Sequence, residues 1–318
     1  MQSGSKLVEC LHILDAEKLM KKLLVIADKM EDSQEAFIKA SGLAQKTGAS
    51  IHVAIFEYER KSVLAAISSQ NSDFSGANLK AQMIARKERW WQDYISSHRV
   101  GLEITHEVIW SKYIHDWVVK HTGAYRYDLV VKTGHRSETP FYTPTDWQLF
   151  RNSTIPVYIA SRQHFKPQKV ILVALDILAR SGKKKKLNKQ LLECANRLAR
   201  QTDSVIHCAF VIKVPTILKD LDLIDEQASV AKARKQLEPV VASLAENYDI
   251  TPECIHIEHG LTWGVMANLS RKLRAQCVVL GSLGRKGMPG KLIGNTAEKI
   301  IHIAKTDLLV VSPEVRVV

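Results

Sequence analysis

The stretch from Val278 to Thr296 joins a short apolar run, a glycine-rich turn and an amphipathic segment. The run from Cys277 to Leu280 predicts a buried strand, and the segment after Thr296 predicts a helix. Because glycine has no Cβ and accepts positive φ, backbone N–H groups of such a turn approach an anion closely. A following helix adds unpaired N–H groups and a partial positive charge. The pattern indicates a phosphate-binding loop, in the first place for a nucleotide.

Two related motifs are absent from this stretch. Gly290-Lys291 resembles the end of a Walker A loop, but Leu292 stands where Ser or Thr would hold Mg²⁺. The glycine spacing also differs from GxGxxG. On the residues alone, a phosphate cradle and a plain strand-to-helix turn both remain open.

The spacing Gly281-x2-Gly284-x9-Gly294-Asn295 resembles the G-x2-G-x9-G-[S/T/N] signature of the universal stress protein family. The strand before it, and the helix and final strand after it, match too. The resemblance extends over the chain apart from its first residues, and it is to the tandem two-domain form. It implies a Rossmann-like α/β fold and, in the ATP-binding branch of the family, ATP with or without Mg²⁺. The nucleotide-binding residues implied are Asp176, Val211, Gly281, Ser282, Gly284, Arg285, Gly294, Asn295 and Thr296.

Length and composition bound the class of protein. A chain of 318 residues suggests two domains, and 46% hydrophobic with 25% charged residues is typical of soluble globular protein. No apolar run approaches the roughly 20 residues that cross a bilayer, and the start lacks a signal-peptide layout. The five cysteines form no CxxC pair, and Cys208 and Cys277 fall in predicted buried strands. These features predict a cytoplasmic protein.

The chain is basic, with a formal charge of +12 and a pI near 9.4. Such a charge is found in proteins that contact nucleic acid or anionic membranes, and also in proteins with a solvated basic surface. No nucleic-acid-binding module is visible, and the one dense run, Lys183 to Lys186, is short. We therefore expect a solvated basic surface, with neither a nucleic acid nor a membrane as partner.

An internal repeat divides the chain into two halves. The segment from Lys22 to Asp28 is similar to that from Val170 to Asp176, and both halves end in a strand followed by Ser. A polar, Pro-containing joint places a degenerate universal stress domain without the glycine motif at 1–162 and a complete one at 163–318. Each half predicts a five-stranded parallel sheet with helices on both faces. The predicted strands are at about 22–28, 51–57, 102–109, 128–133, 155–160, 169–175, 204–212, 254–259, 277–281 and 307–312, and the helices at about 33–47, 78–98, 113–124, 187–201, 225–247 and 263–274.

The first half lacks the glycine loop. Asp28 is kept, but bulky Phe141, Tyr142 and Trp147 stand where a triphosphate would need space, and Thr143 to Trp147 predicts a helix start. We expect a structural partner for the second half. A different, more apolar ligand is the alternative.

In a doubly wound sheet, ligands bind at the carboxyl ends of the strands where the strand order reverses. This rule brings together Asp176, the strand end near Val211 and the glycine loop of the second half. Asp176 has an alternative role as a helix N-cap.

The run Lys183 to Lys186 is predicted in a loop at the same edge, where it either attracts a polyanion or is solvated surface. Pro239 is predicted to kink or split its helix.

Catalytic and metal patterns are weak. On a strand His256 and Glu258 share a face while His259 points away, and His98, His106, His115, His121 and His135 show no metal-ligand spacing. We predict no metal site, although histidines distant in sequence could converge in space. No nucleophile elbow or catalytic triad is evident, so whether the chain is an enzyme is left open.

The function predicted on these grounds is that of a stress-response, ATP-binding regulatory protein. As the resemblance implies, the two domains would pack as a pseudo-dimer through their last strands, and a homodimer is compatible with this. The alternatives are an interaction protein that binds a protein partner or nucleic acid without nucleotide, and a weak ATPase.

Overall fold

The computed structural model describes residues 20–30, 33–70, 75–98, 101–134, 145–162, 168–176, 181–212, 226–282, 299–300 and 306–315. Contacts divide the chain into two compact units, Met20–Gly134 and His135–Val318, the latter grouped with Met1–Leu19. This grouping follows contacts, and the boundary at residue 162 that the sequence repeat suggests remains a prediction. No helix of the described part combines the length and the apolar character that a bilayer crossing requires.

The first unit is a parallel sheet with helices between its strands. The strand order is β3-β2-β1-β4, which reverses direction after β1. Because crossovers between parallel strands are right-handed, this reversal places the helix before β4 on the opposite face from the helices that precede β2 and β3. Its elements are β1 (Lys22–Ile26), α1 (Glu35–Thr47), β2 (Ser50–Glu57), α2 (Lys61–Gln70), α3 (Gly76–Ser97), β3 (Ile104–Trp110), α4 (Ile114–Ala124) and β4 (Leu129–Thr133).

The inner strands of the first unit are apolar on both faces. Every residue of β4 is buried, and so are four of the five residues of β1. On the α1 face, Trp91 of α3 is fully buried and its ring meets that of Phe37 edge to face at 5.3 Å. Burial on both faces explains why β1 is a continuous apolar run in the sequence and why β4 begins with one, from Leu129 to Val131.

The second unit repeats this arrangement and adds one strand from the first half of the sequence. Its strand order is β5-β10-β9-β6-β7-β8, with a reversal between β6 and β9. Within this unit β10 pairs with β9, β9 with β6, β6 with β7 and β7 with β8 in parallel, whereas β5 pairs with β10 antiparallel. Its elements are α5 (Thr145–Asn152), β5 (Val157–Ala160), β6 (Gln168–Leu175), α6 (Gly182–Thr202), β7 (Val205–Ile212), α7 (Glu226–Tyr248), a 3₁₀ turn (Pro252–Cys254), β8 (Ile255–His259), α8 (Thr262–Lys272), β9 (Ala275–Gly281) and β10 (Asp307–Val311).

Buried polar contacts fix the pairing of β5 with β10. The hydroxyl of Tyr158 donates to Asp307 Oδ2 at 2.8 Å, and the backbone N–H of Ser161 donates to Oδ1 at 2.8 Å. Ser312 Oγ donates to the carbonyl of Ser153 at 3.1 Å. Burial and the Asp307 carboxylate raise the pKa of Tyr158 well above its usual value, so the phenol stays protonated and remains a donor.

The predicted α/β fold is confirmed, with two differences in detail inside the second unit. Helix α6 begins at Gly182, so the prediction of a loop at Lys183 to Lys186 is wrong and the lysines form its first turn. Pro239 lies within a continuous α7, so it does not split that helix. In the first unit, α2 was not predicted. The predicted helix after Thr296 is described only at 299–300, which are helical.

Gly281 ends β9 at a point where α6 packs against the strand. A Cβ at this position would lie 2.6 Å from Leu187 Cδ2 and 3.1 Å from its Cγ. Leu187 is itself buried, with 5% of its surface exposed. The absence of a side chain at Gly281 is therefore a packing requirement of α6, independent of any ligand.

We expect Gly281→Ala to destabilise the second unit by about 1–3 kcal/mol, since the added methyl overpacks a filled site. Leu187→Ala alone should cost about 2–5 kcal/mol through the lost burial. In the double variant the methyl occupies part of the vacated space, so the combined cost should be less than the sum. Denaturant unfolding of the four proteins measures this coupling, and strictly additive costs would contradict the close approach.

Two histidines, one on β7 and one on β8, contact each other on one face of the sheet. His207 Nδ1 lies 2.9 Å from His256 Nε2, and the two rings are stacked at 5.2 Å. Burial lowers the pKa of both histidines; the neighbouring His256 lowers that of His207 further, and Lys272 adds to the lowering at His256 against an opposing effect of Glu258. Both imidazoles are thus favoured in the neutral form.

When folding lowers the pKa of a histidine, the folded state has its full stability at pH values above the pKa of the unfolded state, which is about 6.5. That stability is lost as the pH falls from there through the pKa of the folded state. We therefore expect the melting temperature to fall between pH 7.5 and 5.5. In His256→Phe, which keeps a ring on β8 without a second titrating group, the fall should be shallower. Equal falls in wild type and variant would show that the pair does not titrate in this way.

Candidate functional site

The carboxyl edge of the second unit brings three of the predicted residues to one level. The register of β6 with β7 pairs Leu175 with Phe210, so its next step places Asp176 beside Val211. The register of β6 with β9 pairs Val173 with Val279, and continuing it places Asp176 beside Ser282. The strand order reverses between β6 and β9, so these residues lie at the switch point of the sheet.

Asp176 is exposed at this edge and is not a helix cap. Its backbone N–H donates to Asn188 Oδ1 at 3.1 Å, and Asn188 Nδ2 donates back to its carbonyl at 2.7 Å. These two bonds fix the end of β6 against α6. The N-cap of α6 is Ser181, whose hydroxyl accepts from the N–H of Lys184 at 3.4 Å. The cap role considered for Asp176 is thus filled by another residue, and the Asp176 carboxylate faces the edge.

Ser282 follows the end of β9 and is buried at the same edge. Its backbone N–H donates to the carbonyl of Val311 at 2.9 Å, which continues the ladder of β9 with β10. Its side chain is 1% exposed, and Oγ has no hydrogen-bond partner among the described residues. An unsatisfied buried hydroxyl costs about 1–3 kcal/mol. A polar group at the switch point would recover this energy.

The first turn of α6 faces the same edge with a concentration of positive charge. It contains four consecutive lysines from Lys183 to Lys186 and no acidic residue. Lysine ammonium groups oppose the positive end of the helix dipole, so this composition is unfavourable for an isolated helix. Lys184 Nζ contacts Asp176 Oδ2 at 2.7 Å, with both side chains about half exposed. The edge therefore combines an accessible carboxylate with a basic helix start.

The equivalent edge of the first unit is closed. Asp28 is 5% exposed, and its Oδ2 accepts from the hydroxyl of Thr133 at 2.5 Å. Its N–H donates to Gln34 Oε1 at 3.0 Å, while Thr133 Oγ1 accepts from the N–H of Ala36 at 2.9 Å. The hydroxyl of Thr133 at the end of β4 thus ties Asp28 to the start of α1. Gly281 ends the corresponding strand of the second unit and leaves that position without a side chain.

The other predicted nucleotide-binding residues lie outside the described part of the chain. They are Gly284, Arg285, Gly294, Asn295 and Thr296. Phe141 and Tyr142, which were predicted to fill the loop position of the first half, also lie outside the described residues. Trp147 is partly exposed and lies on α5, which begins at Thr145, within the predicted helix start.

The structure also brings together residues that the sequence did not connect. His52 of β2, Glu107 of β3 and His121 of α4 converge, and one ligand atom from each lies within 4.8 Å of the others. His121 stacks on Trp117 at 4.2 Å, and burial lowers its pKa. Burial also raises the pKa of the adjacent Tyr127 to about 12, so that phenol stays protonated. Register between β2 and β3 creates the cluster, and no spacing along the chain reveals it.

Comparison with known proteins agrees with this architecture. Residues 168–312 match the model of the Universal stress protein family. Universal stress protein E of Salmonella typhi is 28% identical over 307 residues, which cover 93% of this chain and 95% of that protein.

Two solved structures share the fold. A protein of unknown function from Pseudomonas aeruginosa aligns over 94% of this chain and 95% of its own with a TM-score of 0.66 at 22% identity. A universal stress protein from Archaeoglobus fulgidus aligns over 92% and 96% with a TM-score of 0.56 at 17% identity. The second half of the chain thus matches the model of the universal stress protein family, and along nearly its whole length the chain is similar to the tandem form known as universal stress protein E.

Proposed function

We propose that this chain is a stress-response regulatory protein that binds one ATP per chain, at the carboxyl edge of the second unit. The nucleotide would lie at the switch point between β6 and β9, with its ribose or adenine near Asp176 and Val211 and its phosphates on the loop that follows Gly281. The role of that loop is taken from the sequence signature, since 283–298 lie outside the described residues.

The observation that carries the proposal is the contrast between two equivalent carboxylates. Asp176 is exposed and its Oδ2 contacts the partly exposed Lys184, whereas Asp28 is buried under the hydroxyl of Thr133. A ribose hydroxyl could replace the ammonium group of Lys184 without disturbing the fold. At the first edge the same ligand would have to break buried hydrogen bonds, which is costly.

Two further features support an anionic ligand. The basic first turn of α6 is unfavourable with respect to the helix dipole, and a bound polyphosphate would compensate it. The buried hydroxyl of Ser282, which lacks a partner among the described residues, stands at the base of the same edge. Both features favour nucleotide binding over a purely structural turn.

Calorimetry with ATP on the full chain tests the proposal. We expect about one site per chain. Asp176→Asn should weaken ATP at least about tenfold, as expected when a hydrogen bond to a charged group is lost. The matched control is Asp203→Asn, because Asp203 forms an exposed ion pair with Lys169 and ends α6 in a left-handed conformation that Asn also accepts.

The control should retain the wild-type affinity. Two equal sites, or equal effects of Asp176→Asn and Asp203→Asn, would contradict this location of the nucleotide. ATP that fails to bind at all would favour the alternative of an interaction protein without nucleotide.

Replacing Lys183 to Lys186 with Gln should slow ATP association and reduce its dependence on salt, with little change in dissociation. The reason is that exposed charges at the rim of a site steer a polyanion more than they hold it. Gln preserves helix propensity, so α6 should be unaffected. Stopped-flow mixing with a fluorescent ATP analogue measures both rates. An unchanged association rate at low salt would assign these lysines to solvated surface.

A further inference from the structure

We propose that His52, Glu107 and His121 of the first unit form a binding site for a divalent transition metal ion, with zinc as the best match. The site lies on the sheet face covered by α4, away from the carboxyl edge of that unit. Two imidazoles and one carboxylate are a donor set that zinc uses in proteins with three protein ligands and one open position.

The three ligands come from elements that pack directly against one another. His52 on β2 lies beside Thr105 of β3, and Glu107 is two residues further along the same face of β3. His121 projects from α4, and its ring lies parallel to that of His52 with centroids 5.6 Å apart. His52 Nε2 already contacts Glu107 Oε1 at 3.0 Å. Only side-chain rotations are needed to place all three around one ion.

The distances define how large those rotations must be. The ligand atoms lie within 4.8 Å of one another. Tetrahedral zinc with Zn–N bonds of 2.0–2.1 Å requires separations of about 3.3 Å. The Glu107 side chain is 43% exposed and free to rotate, while that of His52 is only 14% exposed. Adjustment of Glu107 and His121 around a fixed His52 would complete the site.

A second layer of contacts holds the histidine rings, as is usual for metal ligands. Thr105 Oγ1 lies 2.8 Å from His52 Nδ1, which leaves Nε2 directed at Glu107. Tyr127 OH lies 2.9 Å from His121 Nε2, and Trp117 stacks on the opposite side of that ring. Such contacts orient an imidazole before the metal arrives and reduce the entropy lost on binding.

The second unit offers an internal comparison. His207 on β7 has the register position of the strand histidine, and His256 on β8 has that of the glutamate. The eighth residue of α8, which corresponds to the helical histidine, is Leu269, and it is buried. Within the described part of the second unit, the two histidines therefore have no third ligand at this position, and we expect no comparable metal site there.

Calorimetric titration of the chelator-treated, tag-free full chain with ZnCl₂ tests the site, and the visible absorption of bound Co²⁺ reports the ligand geometry. Wild type should bind about one Zn²⁺ per chain. His121→Phe keeps the ring stacked on Trp117 but removes its nitrogens, and it should weaken Zn²⁺ at least about 100-fold, because even outer-shell changes cost 10–100-fold. Glu107→Gln, at a half-exposed position where folding is not at risk, should weaken it as well.

The matched control is His256→Phe, which makes the same change on the face of the second unit. It should leave Zn²⁺ stoichiometry and affinity unchanged, and circular dichroism should confirm that each variant is folded. Absence of saturable Zn²⁺ binding in wild type would overturn the proposal. So would equal losses in His121→Phe and His256→Phe, or a Zn²⁺ affinity that neither His121→Phe nor Glu107→Gln reduces. None of these outcomes depends on whether ATP binds.

Discussion

The inner parallel strands of both units are buried on two faces, and this constraint organises the rest of each unit. A strand such as β1, apolar along nearly its whole length and buried, must be covered above and below by helices. Right-handed crossovers supply this cover only if the strand order reverses within the sheet. The reversal then leaves a crevice at the carboxyl edge, because the chain departs to opposite faces from neighbouring strands. The crevice is thus a consequence of burying apolar surface, and it does not depend on which polar residues line it.

The two units use that crevice differently, and one position accounts for the difference. Thr133 at the end of β4 bonds the carboxylate of Asp28 and the first turn of α1, so the edge is closed by buried polar contacts. Gly281 at the end of β9 has no side chain to make such bonds, and α6 packs against the strand through Leu187 instead. Asp176 consequently stays exposed. The two equivalent carboxylates thus differ in burial, and the residues at the ends of the neighbouring strands, Thr133 and Gly281, differ with them.

The sequence predicted the strands well because their apolar runs are short and bounded by polar turns. The predicted boundaries of β1, β3 and β9 differ from the observed ones by up to two residues, which is usual for element boundaries. Helix α2 was missed. The lysines of α6 were placed in a loop, and four adjacent positive charges at a helix start do contradict the usual dipole preference. The convergence of His52, Glu107 and His121 depends on strand register and on the facing helix, neither of which local periodicity determines.

The antiparallel pairing of β5 with β10 joins the last strands of two sequence repeats within one polypeptide. In a symmetric homodimer such a contact is made by two copies of the same strand, and every substitution occurs twice. A single chain removes that restriction, so the hydrogen bond from Tyr158 to Asp307 is made once, and Leu309, which pairs with Tyr158, does not repeat it. It also makes the pairing independent of protein concentration, because the partners are covalently linked. Duplication within one chain thereby allows each repeat to be selected separately. The pairing of β5 with β10 can be kept while the residues at the carboxyl edge of one repeat change.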